Sequence, residues 1–289
     1  MMDYKISYTA VNTYLEPVYD AIFELNILPC NNHIQVLTGY NFRNSIGSDF
    51  SISQNLFGFN LIQFRAKQEF SELKIHLTAD VRKNAKNDEP LKSSVILDNI
   101  RSIEFQIDHQ LFLRATSLTE INENNKKKIL KMGNKTPILL FLNTLNLYTH
   151  QYINYTQGAT SVHTTANDIF NFPKGVCQDY AHLFIAVCRY NGIPARYVSG
   201  YIFPDDQLLG ALQMHAWVEA FVPDIGWIGI DPTNNIFTDT NFIKVSHGTD
   251  YNDCSPIKGI LNTSGNNTTV HDVHVELNTM NQQQQQQQQ

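Results

Sequence analysis

The chain has 289 residues, enough for one large or two ordinary domains, and 42% of them are hydrophobic, which is enough to bury a core. Its 21 basic and 27 acidic residues give a net charge of −6, which argues against nucleic acid or an anionic membrane as the main partner. The first residues lack a signal-peptide pattern, and no apolar stretch is long enough to cross a bilayer. We therefore expect a cytoplasmic protein with no membrane partner.

Residues 1–115 are predicted to form an N-terminal β-sandwich. Apolar residues alternate with polar ones from Tyr4 to Tyr8, from Leu73 to Leu77 and from Ile103 to Ile107, which is typical of strands with one buried face. Turn-forming residues separate these runs, and several short strands of this kind favour a sandwich. A further alternating run from Thr269 to Leu277 is predicted to rejoin a sheet as a closing strand.

The rest of the chain changes in composition. Residues 116–135 are rich in Asn, Lys, Thr and Ser and are predicted to be a linker, and residues 136–280 a second, α+β domain. Within it, the apolar stretch from Ile138 to Tyr155 contains no helix breaker and predicts a core helix, and Ala166 to Phe170 predicts a short one. Residues 281–289 are predicted to be a disordered glutamine tail.

Cys177 precedes a run with helical apolar spacing that lasts until Tyr190, where Asn191-Gly192 supplies helix-stop residues. We therefore place Cys177 at the N-terminus of a helix. Unpaired N–H groups and the helix dipole stabilise a thiolate at such a position, and the same N–H groups can donate to an oxyanion. A lone cysteine can equally be a small buried hydrophobe, which is our interpretation of Cys188 on the buried face of this helix.

A histidine and an aspartate follow on two predicted antiparallel strands. Alternation from Leu212 to Phe221 predicts the first strand, Pro223–Gly226 a turn, and Trp227–Ile230 the returning strand, with Asp231 at its end. In a hairpin the start of the first strand neighbours the end of the second, so His215 and Asp231 are expected at the same end of the sheet. The pattern does not fix the register closely enough to say whether they are bonded, and a core histidine or a turn aspartate would look the same.

Four motifs share their residues and their order with a known family. They are Gly175-Val176-Cys177-Gln178-Asp179, Gly192-Ile193-Pro194-Ala195-Arg196, His215-Ala216-Trp217-Val218-Glu219 and Asp231-Pro232-Thr233. Together they resemble the transglutaminase-like superfamily of papain-related cysteine enzymes, in particular its bacterial-type branch, which has an N-terminal β domain and is described as containing candidate cysteine proteases. The resemblance implies an α+β fold with a papain-like core and a catalytic triad of Cys177, His215 and Asp231.

The same resemblance implies a cysteine-dependent amide-bond hydrolase, a peptidase or amidase, that acts through a thioester acyl-enzyme on a peptide or protein. A protein-glutamine transamidase differs only in whether an amine replaces water at the thioester. A non-catalytic binding module could keep the same fold. The chemistry needs no metal or other cofactor, and the four cysteines contain no CxxC pair of the kind that holds zinc.

Three further positions lie in or near the motifs and could take part in the site. Asp179 falls in the first turn of the Cys177 helix, where a carboxylate can either stabilise the helix or contact a substrate. His182 is not placed in the triad, because His215 matches the motif. Thr249-Asp250-Tyr251 resembles the family's C-terminal segment, except that Thr249 stands where many relatives carry an arginine, so a role for this segment in substrate contact stays open.

Overall fold

The computed structural model describes residues 1–84, 91–204, 208–210, 212–263 and 265–278. The predicted glutamine tail lies outside these ranges. The described chain combines an antiparallel β-sandwich with an α+β core, which confirms the predicted fold class. None of the helices within these ranges is long and apolar enough to cross a bilayer.

The sandwich consists of two four-stranded antiparallel sheets, whose strands are labelled in chain order. The first sheet contains, in spatial order, β15 (Asn267–Leu277), β1 (Met2–Val18), β6 (Phe70–Lys83) and β3 (Gln35–Asn44). The second contains β14 (Ile257–Leu261), β2 (Ala21–Leu25), β5 (Asn60–Ala66) and β4 (Phe50–Gln54). The predicted closing strand is confirmed, because β15 pairs with β1 throughout its length.

The alternation in the sequence is what gives the sandwich its core. Tyr4, Ile6 and Tyr8 lie on the inner face of β1 with at most 1% of their surface exposed, and Leu73 and Leu77 of β6 join the same cluster. Full burial of an aliphatic side chain such as Ile6 or Leu73 stabilises the fold by roughly 1.5–3 kcal/mol relative to an exposed side chain. The strands predicted from Tyr4 to Tyr8 and from Leu73 to Leu77 are therefore confirmed.

The prediction of a strand from Ile103 to Ile107 is wrong. These residues form the helix α1 (Ile103–Asp108), which is followed by α2 (Gln110–Leu113). The Ser102 hydroxyl accepts a hydrogen bond from the N–H of Phe105 at 3.2 Å and caps the start of α1. Ile103 and Ile107 are 70% and 66% exposed, and their spacing of four residues fits one face of a helix as well as one face of a strand.

The α+β core is a five-stranded sheet covered by helices. Its spatial order is β12-β11-β10-β9-β13, and the strands are β9 (Ala195–Ile202), β10 (His215–Val222), β11 (Gly226–Asp231), β12 (Ile236–Phe237) and β13 (Phe242–Gly248). The helices are α3 (Ile138–Tyr152), α4 (Ala166–Asn171), α5 (Cys177–Tyr190) and α6 (Tyr251–Cys254), and β7 (Asn154–Tyr155) and β8 (Lys174–Gly175) form a short parallel pair.

Helix α5 is the centre of this core and packs against α3, α4, β9 and β10. Its side chains Phe184 and Cys188 are fully buried, which confirms that Cys188 is a core residue. Residues 116–135, predicted as a linker, contain a 3-10 turn at Asn125–Lys128, and Ile129 just after it packs into the same hydrophobic cluster as α5.

Strand β10 begins at His215 rather than at the predicted Leu212. The carbonyl oxygen of Leu212 accepts a hydrogen bond of 3.2 Å from the N–H of Val273 on β15. The segment that leads into β10 is therefore attached to the edge of the sandwich instead of extending the core sheet. This contact places the start of β10 beside β15.

Candidate active site

Cys177 is the first residue of α5, as the sequence predicts. The Asp179 carboxylate fixes this helix start, because its Oδ2 accepts hydrogen bonds from the N–H of Val176 at 2.8 Å and from the Thr160 hydroxyl at 2.6 Å. A Cβ atom at Gly175 would lie only 2.5 Å from the same oxygen, so the close approach of the chain to Asp179 requires glycine there. The sulfur of Cys177 is thus presented at the helix N-terminus by a rigid turn.

These contacts favour helix stabilisation over substrate contact as the role of Asp179. The residue is fully buried, and burial raises the pKa of its carboxyl group, while the Thr160 and Val176 hydrogen bonds act in the opposite direction. The side chain accepts a hydrogen bond from a backbone N–H group at the helix start that would otherwise have no partner. It does not line the cleft that contains Cys177.

His215 and Asp231 form a hydrogen-bonded, fully buried pair. Nε2 of His215 lies 2.9 Å from Oδ2 of Asp231, at the end of the sheet where β10 begins and β11 ends. Three further donors orient the carboxylate: the N–H groups of Thr233 and Asn234 donate to Oδ1 at 2.9 and 3.4 Å, and the Asn234 side-chain amide donates to Oδ2 at 2.7 Å. Asn234 was not singled out from the sequence, and its position just after the Asp231-Pro232-Thr233 motif is the signal that could have indicated it.

The charges around His215 favour its protonated form. Burial opposes a charge on the ring, but the Asp231 carboxylate and then the Cys177 sulfur outweigh it and raise the pKa of His215 to about 10. Since Nε2 is bonded to Asp231, the ring has Nδ1 left for the thiol. The Cys177 sulfur lies close enough to this nitrogen for a hydrogen bond that also raises the pKa of the ring, but the contact is long or poorly aligned, as catalytic contacts often are before a substrate binds.

Gly210 lies directly against the Nδ1 side of the imidazole, away from the nitrogen that bonds Asp231. Its φ is +87°, and a Cβ atom built on it would lie 2.6 Å from Nδ1 of His215. Glycine is therefore required on two grounds, the left-handed backbone and the lack of space next to the ring. No local sequence pattern indicates this contact, because Gly210 meets the histidine only in the folded protein.

Cys177 and His215 line a cleft of about 270 Å³ between α5 and the sheet. Its other walls include Tyr197 and Ser199 of β9, Met214, Tyr251 and His271. His271 belongs to β15, so the sandwich contributes directly to this cleft. The Asp250-Tyr251 pair that resembles the family's C-terminal segment also reaches it through Tyr251.

The remaining cysteines are poor nucleophiles. Cys188 and Cys254 are fully buried and Cys30 is 8% exposed, whereas Cys177 is half-buried. Burial raises the pKa of the Cys30 thiol to about 11 and that of Cys254 to about 12. It also raises the pKa of Cys188. Of the four thiols in the described residues, only Cys177 combines access with a histidine neighbour.

His182 has a structural place beneath the cleft. The ring is fully buried, and burial, aided by Arg189, lowers its pKa to about 3, so it is neutral at physiological pH. Its Nε2 accepts a hydrogen bond of 3.2 Å from the N–H of Tyr251. His182 therefore supports Tyr251 and does not join the His215–Asp231 pair.

Two motif residues, Arg196 and Glu219, hold the sheet together rather than line the cleft. The Glu219 carboxylate accepts a hydrogen bond of 2.6 Å from the Arg196 guanidinium and bonds of 2.6 and 2.8 Å from Lys244. Burial opposes its charge, but Lys244 and Arg196 lower the pKa of Glu219 to about 2. Arg196 also lies 4.0 Å from the ring centre of Trp227.

Within the described residues, no group of three or more His, Cys, Asp or Glu side chains is arranged to hold a metal ion.

Comparisons with known proteins bear on the fold. Residues 127–232 match the model of the transglutaminase-like superfamily. A crystal structure from Cytophaga hutchinsonii, described as a candidate cysteine protease, superposes with a TM-score of 0.77 at 21% identity and covers 96% of this chain and 91% of that one. The fold therefore combines a transglutaminase-like, papain-like core with an N-terminal sheet region.

The relatives of similar sequence are longer than the part of them that matches this chain. An uncharacterized protein of Mycobacterium tuberculosis is 36% identical over 152 residues, which are 50% of this chain and 48% of the relative. A protein-glutamine gamma-glutamyltransferase of Pseudomonas aeruginosa is 33% identical over 115 residues, which are 37% of this chain and 17% of that protein. The chain thus spans about half the length of the mycobacterial relative that it matches.

Proposed function

We propose that this protein is a cysteine-dependent amide-bond hydrolase, a peptidase or amidase, with the triad Cys177, His215 and Asp231. The observation that carries the proposal is the arrangement of the three side chains: a half-buried cysteine at a helix N-terminus, an imidazole beside it, and a buried carboxylate 2.9 Å from the far nitrogen of that imidazole. A nucleophile, a base and a group that orients the base are the components of covalent acyl transfer.

Each residue has a definite task in this mechanism. Asp231 accepts a hydrogen bond from Nε2–H of His215 and stabilises the charged ring, and Nδ1 takes the proton of the Cys177 thiol. The thiolate attacks the carbonyl carbon of an amide and forms a tetrahedral oxyanion. The N–H of Cys177 at the helix start is a suitable donor to that oxygen. The oxyanion collapses, the C–N bond breaks, and Nδ1 of His215 returns the proton to the leaving amine.

The second half of the reaction releases the acyl group from the sulfur. A water molecule gives a proton to Nδ1 of His215 and attacks the thioester carbon. The C–S bond then breaks, the carboxylic acid leaves, and the proton returns to the sulfur of Cys177. The fold and the open cleft support a peptide or protein as the substrate.

A protein-glutamine transamidase is the second candidate, because one relative that shares 33% identity over 115 residues carries that activity in its name. In this case an amine replaces water at the thioester, and the side chains have the same tasks. A non-catalytic binding module is a third candidate, and it requires that Cys177 has no unusual reactivity.

Mass spectrometry of the products of a glutamine-peptide library, with and without an added primary amine, distinguishes the candidates. Cleaved or deamidated peptides that are insensitive to the amine support hydrolysis, and peptides coupled to the amine support transamidation. Cys177→Ala must abolish either product, while Cys30→Ala, a cysteine away from the cleft, must retain it. Absence of any product, together with failure of a thiol-reactive probe to label Cys177 in the folded protein, would favour the binding module.

A further inference from the structure

A second cavity continues the active-site cleft into the sandwich. It has a volume of about 330 Å³ and is lined by residues of β1, β14 and β15, among them Asn12, Gly259 and Thr269. The two cavities share Val162, Tyr251, Pro256 and His271 as walls, so they are adjacent; together they are called the groove, with Cys177 at one end. The N-terminal sandwich, for which the sequence indicated no chemistry, therefore borders most of the second half of the groove.

The groove runs along strand edges that have no partner strand. Within the described residues β15 pairs only with β1 and β14 only with β2, so each is the outer strand of its sheet. The N–H of Val273 on β15 points outward, because it donates to the carbonyl of Leu212. Alternate residues of a strand point their N–H and C=O groups the same way, so those of Thr269 and His271 also point outward. An extended chain placed there can form main-chain hydrogen bonds with β15.

The contact at Leu212 shows where such a chain would lie relative to the triad. The segment from Leu212 to His215 occupies the β15 edge at Val273 and then turns into β10. Among the described residues, none bonds the outward backbone groups of Thr269 and His271, and His271 faces the same cleft as His215. A substrate lying along this edge would therefore reach Cys177 without displacing any strand.

Apart from the Cys177–His215 pair at its end, the described lining of the groove is uncharged and mixes polar with apolar side chains. None of the described residues that line either cavity is Asp, Glu, Lys or Arg. Nδ1 of His271 is bonded to the Tyr8 hydroxyl at 2.9 Å, and burial lowers the pKa of this histidine. The Thr269 hydroxyl is 2.5 Å from Oδ1 of Asn12. These groups suit the backbone and the uncharged side chains of a peptide, since a charge placed there would lose hydration without gaining an ionic partner.

We infer that the sandwich binds the acyl-donor substrate: an extended, uncharged peptide segment next to the reacting residue pairs with the β15 edge at Thr269 and His271 and fills the groove between β14 and β15. The inference rests on the proposed amide chemistry, because that chemistry defines the end of the groove at which the reacting carbonyl lies. It assigns to the sandwich a direct part in substrate selection, chiefly through its C-terminal strands β14 and β15.

Two tryptophan substitutions on one strand test the inference. Thr269→Trp places a large side chain in the groove, while Thr268→Trp places the same side chain on the opposite face of β15, where Thr268 is also exposed. With an uncharged peptide of about eight residues, long enough to span the groove at ~3.3 Å per residue, we expect Thr269→Trp to lower kcat/KM at least about ten-fold and Thr268→Trp to leave it unchanged. The rate of Cys177 alkylation by iodoacetamide checks that the triad is intact in both variants.

A binding measurement separates this inference from the proposed function. Fluorescence anisotropy of the labelled peptide is measured with Cys177→Ala alone and in combination with each tryptophan substitution. Weaker binding only with Thr269→Trp supports the groove even if the wild-type protein cleaves no peptide, in which case the proposed hydrolysis fails and the groove stands. Equal peptide affinity of both tryptophan variants, or equal kcat/KM where turnover occurs, overturns the inference.

Discussion

Replacement of Asp231 by Asn is the perturbation that most sharply separates a working triad from a structural ion pair. Every described group that bonds the Asp231 carboxylate is a donor: His215 Nε2 and the Asn234 side-chain amide at Oδ2, and the N–H groups of Thr233 and Asn234 at Oδ1. An amide cannot match this set, because its NH2 group must face one of these donors. If the NH2 group faces His215, Nε2 becomes the acceptor and the ring proton moves to Nδ1, where the thiol proton has to be received.

The structure gives the size of the expected effect. The pKa of His215 lies at about 10 instead of its usual 6.5, and Asp231 is the main group that raises it against burial. At about 1.4 kcal/mol per unit, this difference is on the order of 5 kcal/mol in favour of the charged ring. The wrong tautomer in other nucleophile–histidine–aspartate triads costs about 10⁴-fold in kcat, and we expect Asp231→Asn to lose a similar factor. If the NH2 group instead faces Thr233, an unpaired buried donor should cost about 1–3 kcal/mol of stability.

The assay measures kcat on an accepted peptide amide together with the rate of Cys177 alkylation as a function of pH. In Asp231→Asn both should fall at neutral pH, because the uncharged ring no longer stabilises the thiolate. Asp224→Asn is the matched control, since Asp224 lies in the exposed turn between β10 and β11 and bonds only the Ser93 hydroxyl among the described residues. Wild-type kcat and an unchanged alkylation profile in Asp231→Asn would refute the reasoning.

Three further predictions use the same site. Cys177 should be alkylated faster than Cys30, whose thiol pKa is raised to about 11 by burial, and peptide mapping that finds another cysteine labelled first would remove Cys177 as the nucleophile. Activity should be bell-shaped in pH, with its basic limb near pH 10, and a rate that rises to a plateau would exclude the thiolate–imidazolium pair. The free energy of unfolding should fall as the pH rises from about 6.5 to 10, because the raised pKa of His215 stabilises the fold only while the ring is protonated. Gly210→Ala should lower kcat more than ten-fold, whereas Gly226→Ala, with a similar φ of +95° and nothing within 4 Å, should not; equal kcat in the two variants would show that the space beside His215 is unimportant.

Much of the fold could be predicted from the sequence because its signals are local. The alternation in β1 and β6 records which face each strand buries, and the run from Cys177 to Tyr190 carries both its helical spacing and its stop at Asn191. The run from Ile103 to Ile107 was misassigned because five residues fit either periodicity, and the Ser102 cap decides in favour of a helix.

The site could be predicted only in part, because its remaining features depend on tertiary contacts. The motifs indicate Cys177, His215 and Asp231, but the 2.9 Å bond between the last two depends on side-chain geometry that the strand pattern does not fix. The approach of Gly210 to the imidazole and the arrival of His271 from β15 join segments that are distant in the chain. No local pattern records such contacts.

The central claim is that Cys177 forms a thioester with the acyl part of its substrate. Rapid-quench mass spectrometry of the intact protein during peptide turnover tests it directly. We predict a transient mass increase equal to the acyl group, located on Cys177 by peptide mapping, released by hydroxylamine and absent in Cys177→Ala. Turnover that persists in Cys177→Ala, or an acyl group found on a different residue, would contradict the account.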